Sequence, residues 1–249
     1  MRSLTFTKRN FLELIRDPLS TIFFVVFPGV LFVVLSLIMN SLGEEVLATV
    51  PQFEITHLTM SMIVFSFSFI TIFVGNIIAN DRNTYFLMRL KTTPMQAKDF
   101  IVGYTFAVFP ISLMQEIIII LIGLCLGLNL TWEVLLGALI LLPSSLLFIG
   151  FGIIFGILVN IKAVGGLSSI IPTATSLLGG MFFPLENMQG TFKNICYFFP
   201  FANAIKVGNM IANKNFDFLN PLINYLLYTI ALYLIAIIIF EYKLNHDNI

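Results

Sequence analysis

The sequence predicts an all-α fold: a polytopic membrane protein of six transmembrane helices. Three smaller features accompany them: an N-terminal interfacial helix, a short helix in a cytoplasmic loop and a re-entrant helical hairpin on the outer side. Three observations predict this fold. Of the 249 residues, 58% are hydrophobic and only 10% charged, whereas a soluble domain carries about 25% charged residues to meet water. Six stretches stay apolar over the roughly 20 residues needed to cross about 30 Å of hydrocarbon. The Lys and Arg residues flanking those stretches are asymmetric, ten on one side against three on the other.

In chain order the stretches are Thr21–Met39, Leu58–Ala79, Val102–Leu126, Val134–Val159, Gly165–Phe183 and Leu222–Glu241. The first follows Arg2, Lys8 and Arg9, but Leu19–Met39 is too long for a signal-peptide core of about 7–15 residues. It is read as a span. The fourth and fifth are joined by Asn160-Ile161-Lys162-Ala163, a tight helical hairpin. The basic residues gather before the first span, between the second and third, at Lys162 and at Lys243, so both termini are expected in the cytoplasm. No internal repeat is visible. The whole chain, 1–249, reads as one membrane domain, with special segments at 1–18, 80–101 and 184–221.

Function is sought in the segments that are not spans. In residues 1–18, Leu4, Phe11, Leu14 and Ile15 fall near one helical face, with Lys8, Arg9, Glu13 and Arg16 elsewhere. That pattern suits a helix lying in the cytoplasmic interface until Asp17-Pro18 ends it. In the loop after span two, Thr84, Tyr85, Phe86, Leu87, Met88, Arg89, Leu90 and Lys91 form two helical turns before Pro94. Its apolar residues are too many for a solvated loop and fit a partner's groove. The segment 184–221, introduced by Phe182, Phe183 and Pro184 and containing Pro200, is Phe-rich and has no run long enough to span. Such backbone is tolerated at membrane depth only inside protein or along a cavity.

Within the third span, Gln115 and Glu116 place polar chemistry at bilayer depth, where a carboxylate costs about 2.5–3.5 kcal/mol on insertion scales. Glu116 either lines a substrate path or serves as hydrogen-bonded glue between helices. Gly123 and Gly127, and Gly152 and Gly156, have the four-residue spacing of close helix contacts. No Gly-Lys pair occurs, which excludes a nucleotide-binding P-loop. His57 and His246 lie on opposite sides of the membrane, and no acidic cluster suggests a metal. The two cysteines, Cys125 and Cys196, have no metal-like spacing and are not expected to bond. The net charge of zero gives no reason to expect nucleic acid.

Three segments together resemble the type-2 permeases of bacterial ATP-binding-cassette (ABC) exporters, across essentially the whole chain. They are Arg16-Asp17-Pro18 before a run containing Pro28; Asp81-Arg82 followed by Leu87 and Arg89-Leu90-Lys91-Thr92-Thr93-Pro94, with Gly103 beyond; and Gly180-Met181-Phe182-Phe183-Pro184-Leu185-Glu186-Asn187-Met188, with Pro200 further on. The chain departs from that family at Asn83, Tyr85, Phe86 and Met88, where an acidic residue, Gly, Thr and Glu are common. Tyr104 replaces a usual lysine, and Gln189 a common proline. The resemblance implies a coupling helix around Thr84–Lys91, an extracellular re-entrant hairpin and a second permease subunit. It also implies partner ATPase subunits that carry the ATP and Mg, with no cofactor on this chain and no catalysis by it. The apolar spans suit an amphipathic or lipid-like cargo such as a drug, an antimicrobial peptide or a lipid-linked molecule. The alternatives are a polysaccharide- or teichoic-acid-type exporter permease, an ion-coupled secondary transporter, and a non-transporting scaffold or immunity protein.

Overall fold

The computed structural model describes residues 2–16, 18–41, 50–90 and 95–246. They form α1 (Arg2–Arg16), α2 (Pro18–Ser41), α3 (Ile55–Ser68), α4 (Ile70–Asn83), α5 (Phe86–Leu90), α6 (Ala97–Cys125), α7 (Trp132–Leu141) and α8 (Ser144–Leu158). Then come α9 (Ile161–Ser168), α10 (Ile170–Leu178), α11 (Thr191–Phe198), α12 (Pro200–Ala212) and α13 (Leu219–His246). Among the described residues no strand occurs. Among the described residues, five helical stretches are long and apolar enough to cross a membrane: Ile55–Asn83, Ala97–Cys125, Trp132–Leu158, Ile161–Leu178 and Leu219–Lys243. α2 adds a further apolar helix of 24 residues.

The side chains are arranged for a hydrocarbon solvent. On α13, Ile223, Leu227, Ile230, Leu234 and Ile238 repeat at helical spacing and are all exposed. On α6, Ser112, Gln115 and Glu116 are buried while Phe106, Leu113 and Ile117 are exposed. Polar residues inside and apolar ones outside is the order that a bilayer selects. Stretch α3–α4 is the most enclosed and α13 the most peripheral.

Glycines set the closest contact. α4 and α8 pack along Gly152 and Gly156: a Cβ on Gly152 would lie 2.7 Å from Val74 Cβ, and one on Gly156 2.7 Å from Ile78 Cβ. The Thr71 hydroxyl donates across the same seam to the Phe148 carbonyl at 3.0 Å. The small-residue spacing therefore joins helices of one chain. The pairing of Gly123 with Gly127 is different from the expectation. α6 ends at Cys125, and Gly127 (φ +101°) sits in the left-handed turn that follows. Leu128 N–H donates to Gly123 O and Gly127 N–H to Leu124 O, a Schellman ending that glycine favours.

The spans keep the expected order with shifted ends. The expected second span runs on to Asn83, so most of what reads as loop between Asn80 and Thr84 is helix. The expected fifth span stops at Leu178 rather than Phe183, because Gly179-Gly180 (φ +76° at Gly180) breaks the helix. The turn between α8 and α9 is shorter than expected, since the helix resumes at Ile161. α11 and α12 meet at 84° about Phe199, with Pro200 supplying the first turn of α12. The C-terminal end of α12 lines a cavity together with Gln52, whose Nε2 donates to Phe182 O. Cys125 and Cys196 are free thiols.

Gly152→Leu or Gly156→Leu should therefore drive α4 and α8 apart. Overpacking costs about 1–3 kcal/mol, and here the nearest atoms include the Thr71 and Gly75 carbonyls, which cannot rotate away. Gly165→Ala, where nothing lies within 4 Å, should match or slightly exceed wild type. Thermal unfolding in detergent compares the three.

Candidate functional site

Asp81 lies in the last turn of α4 and is 1% exposed. A carboxylate buried that deeply needs both counter-charge and donors. Arg9, from α1, supplies a two-pronged contact: Nη1 to Oδ2 and Nη2 to Oδ1, each 2.9 Å. The Tyr104 hydroxyl, about two turns into α6, donates to Oδ2 at 2.6 Å. Arg9 also contacts Glu13 at 2.7 Å and donates to Asn10 Oδ1 at 2.8 Å. Its guanidinium lies 4.0 Å from the centroid of the Phe86 ring, a cation–π contact. Burial pushes the Glu13 carboxyl up from its ordinary range, and Arg9 pulls it back.

An aromatic cluster surrounds the charges. Phe6 stacks on Phe86 and meets Phe100 and Tyr104 edge-on, with centroids 6.3, 5.4 and 5.0 Å away. Gly103 makes room for it, since any Cβ there would overlap the Phe6 ring. The next residue along α4 extends the junction. Arg82 Nη1 donates to the Gly156 and Val159 carbonyls, both at 3.0 Å, closing the C-terminus of α8 where cations are favoured. Two consecutive residues, Asp81 and Arg82, thus bind α1, α6 and α8 to the end of α4.

The expected site residues distribute unevenly around this junction. On α1 the face held by the protein is Phe6, Asn10 and Leu14, with Phe11 half-buried. Leu4 and Ile15, expected on the same face, are exposed beside it, as is Arg16. The apolar arc is wide enough that one half meets α6 and the other half remains outward.

The loop helix starts later than expected, at Phe86 rather than Thr84, and is described as far as Leu90. Thr84 ends α4, its hydroxyl donating to Asn80 O at 3.0 Å. Tyr85 sits in the left-handed region at φ +57°. Leu87 is buried and Phe86 is engaged with Arg9 and Phe6, so the outward side chains are Thr84, Tyr85 and Arg89, with Met88 half-exposed. Lys91 lies outside the described residues. Gln115 Nε2 donates to Ser66 O at 3.3 Å and ties α6 to α3. Glu116 is buried, and its Oε2 has no hydrogen-bond partner among the described residues. Phe182 is half-buried with its carbonyl accepting from Gln52; Phe183 is exposed, Pro184 precedes a short 3₁₀ turn, and Pro200 is buried.

The profile of the ABC-2 type transporter family matches residues 2–211. The chain belongs to that family. No curated protein matches it. As an ABC-2 transporter membrane component the chain is not itself an enzyme, which agrees with the absence of a P-loop in the sequence. Two residues of this ABC-2 subunit have a plain physical reading. Tyr85 stands in a backbone conformation that costs a non-glycine residue about 1–2 kcal/mol. Tyr104 delivers a hydroxyl donor to Asp81.

In the sequence Asp81 stands out only as part of the Asp81-Arg82 run, with nothing that pairs it to Arg9. The available signal was Arg9 and Asp81 as opposite charges in two segments expected on one membrane side, but 72 residues separate them. Asp81→Asn and Arg9→Leu should each lower stability sharply. Leaving one member of a buried pair alone costs up to about 3–5 kcal/mol, less here because 34% of the Arg9 side chain is exposed. Tyr104→Phe should cost about 1.5–3 kcal/mol for a lost bond to a charge. Tyr85→Gly should raise the melting temperature by relieving the turn. Thermal unfolding of purified variants orders them, and an Asp81→Asn protein as stable as wild type would remove this pair from the centre of the structure.

Proposed function

We propose that the chain is the permease subunit of an ABC exporter, working as a dimer of permeases and driven by partner ATPase subunits on the cytoplasmic side. In this reading α1 and α5 face the ATPases, both termini are cytoplasmic, and the α11–α12 hairpin lies on the extracellular side of the cell membrane. The observation that carries the reading is the Arg9–Asp81–Tyr104 junction. It ties the surface formed by Tyr85 and Arg89 to α1, α4 and α6 at once. A push on α5 would pass to Phe86, then through Phe6 and Arg9 to helices that cross the membrane, without first bending a loop. The cargo in this proposal is amphipathic or lipid-like, suited to the long apolar faces of the spans.

A charge-based alternative would route ion coupling through Glu116, which is buried with one carboxylate oxygen unpartnered. One experiment addresses both. The chain is co-expressed with the ATPase encoded beside its gene, reconstituted, and assayed for ATP hydrolysis and ATP-driven flux. Tyr85→Ala with Arg89→Glu should weaken complex formation and lower flux about tenfold or more, the scale of an interface hot spot, with folding intact. Glu116→Gln should leave ATP-driven flux standing. Flux that needs an ion gradient and disappears in Glu116→Gln would transfer the function to the secondary-transport class.

A further inference from the structure

On the flank of the bundle, between α6, α8 and α13, lies a groove of about 510 Å³. Ile101, Val102, Phe106 and Phe109 form its wall on α6, with Leu146 on α8 and Ile230 on α13. Val102, Phe106 and Ile230 are exposed, and Ile230 belongs to the outward apolar stripe of α13. The groove therefore opens sideways, toward hydrocarbon. Its floor is fixed by Tyr233, whose hydroxyl lies 3.0 Å from that of Thr105 on α6. The same ring packs on Gly150 of α8, where a Cβ would come within 3.4 Å of it.

Nothing inside this groove holds water. The Thr105 and Tyr233 hydroxyls bond to each other, and the Thr229 hydroxyl donates to the Tyr225 carbonyl at 2.8 Å. A trapped water needs about two to four polar partners. An empty groove is no alternative, because its walls would forfeit their dispersion contacts. An alkyl chain meets both conditions. From Ile101 to Phe109 the groove follows α6 for about 12 Å at 1.5 Å per residue. One leaflet of hydrocarbon is roughly 15 Å deep, half of a 30 Å core. The gain on filling the groove is one of fit, since lipid tails are already as apolar as leucine.

The groove also has a charged end. Lys98 precedes Val102 by four residues and so shares its face of α6. It is exposed and makes no ion pair among the described residues. A basic side chain at that level meets the phosphates of the bilayer.

We propose that the groove holds one acyl chain of a phospholipid from the leaflet on the Asp81 side, with the phosphate at Lys98. Shape selects the chain, and Lys98 sets which end the head group occupies. The assignment needs only that the chain sits in a bilayer, and it does not depend on the transport reading.

The test uses the full chain in phosphatidylcholine nanodiscs doped with phosphatidylcholine that carries a diazirine on one acyl chain. The discs are diluted into an excess of unlabelled vesicles before irradiation, and the labelled positions are mapped by mass spectrometry. Label in the groove should outlast label at Ile223 and Ile238, which are exposed on α13 outside it. A diazirine near the glycerol should mark Val102, and one at the chain terminus Phe109. Val102→Trp and Ile230→Trp each fill the groove from an exposed position. Either should lower the groove label about tenfold, the scale of overpacking an occupied volume, with label at Ile238 and thermal unfolding unchanged. Groove label that decays together with that at Ile223 and Ile238 would mean annular lipid only and overturn the proposal. Label that survives in both folded tryptophan variants would do the same, and a reversed order along α6 would remove the phosphate from Lys98.

Discussion

A carboxylate at 1% exposure, in the last turn of a helix, cannot be left to itself. Its desolvation costs several kcal/mol even after relaxation, and Asp81 meets that cost by drawing in groups from other elements. Arg9 comes from α1 and Tyr104 from α6, and each is held in turn by what surrounds it. Arg9 lies over Phe86; Phe6 wedges between Phe86, Phe100 and Tyr104 because Gly103 has no side chain to exclude it. The location of α1 against α6, the start of α5 and the close of α4 all follow from satisfying one charge. A hydrophobic replacement of similar shape could be as stable. What the ion pair adds is register, since a bidentate Arg–carboxylate contact admits few alternatives.

Away from that junction the structure is governed by a solvent that neither rewards burial of leucine nor tolerates unpaired backbone. Helix association then depends on close approach and on the few hydrogen bonds available between helices. The α4–α8 seam uses both, with Gly152 and Gly156 admitting Val74 and Ile78, and Thr71 bonding to the Phe148 carbonyl. α12 reaches α7 in the same manner: a Cβ on Gly208 would meet Leu141, and one on Gly137 would lie 3.1 Å from the Gly208 carbonyl. At the α11–α12 bend Asn203 Nδ2 donates to Tyr197 O and to Asn224 Oδ1 on α13, so the sharp turn is tied down from both sides.

The apolar stretches were legible because span length is set by bilayer thickness and appears directly in the sequence. Their ends were less so, because termination depends on local conformations such as Gly180 at φ +76°, which overrides a run that remains apolar to Phe183. The wide face of α1 was legible as amphipathic. Its division into Phe6–Asn10–Leu14 inside and Leu4 and Ile15 outside was not, since periodicity cannot say which half of an arc a neighbour covers. The loop helix divides in a related way. Phe86 and Leu87 read as partner-facing because they are apolar in a loop; in the structure Leu87 is buried and Phe86 is half-buried against Arg9 and Phe6. The pairing of Asp81 was beyond reach because its partners, Arg9 and Tyr104, lie 72 and 23 residues away in sequence.

Stretch α3–α4 connects the two ends of the bundle, and its construction bears on how they communicate. It is not one uninterrupted helix: it breaks at Phe69. Just before the break the Ser66 and Ser68 hydroxyls bond back to the Ile63 and Phe65 carbonyls, a pattern that bends helices. Beyond it, α4 is joined to α8 along Thr71, Val74 and Ile78, and Arg82 holds the end of α8. α3 has its own attachments, to α6 through Gln115 and to the Phe182 segment through Gln52 at its start. A displacement at Asp81 would move α4 and α8 together, and it can pass to α3 across Phe69 or through α6, which carries both Tyr104 and Gln115. Coupling between the two ends of the bundle therefore has two parallel paths, and a change at Phe69 alone does not sever it.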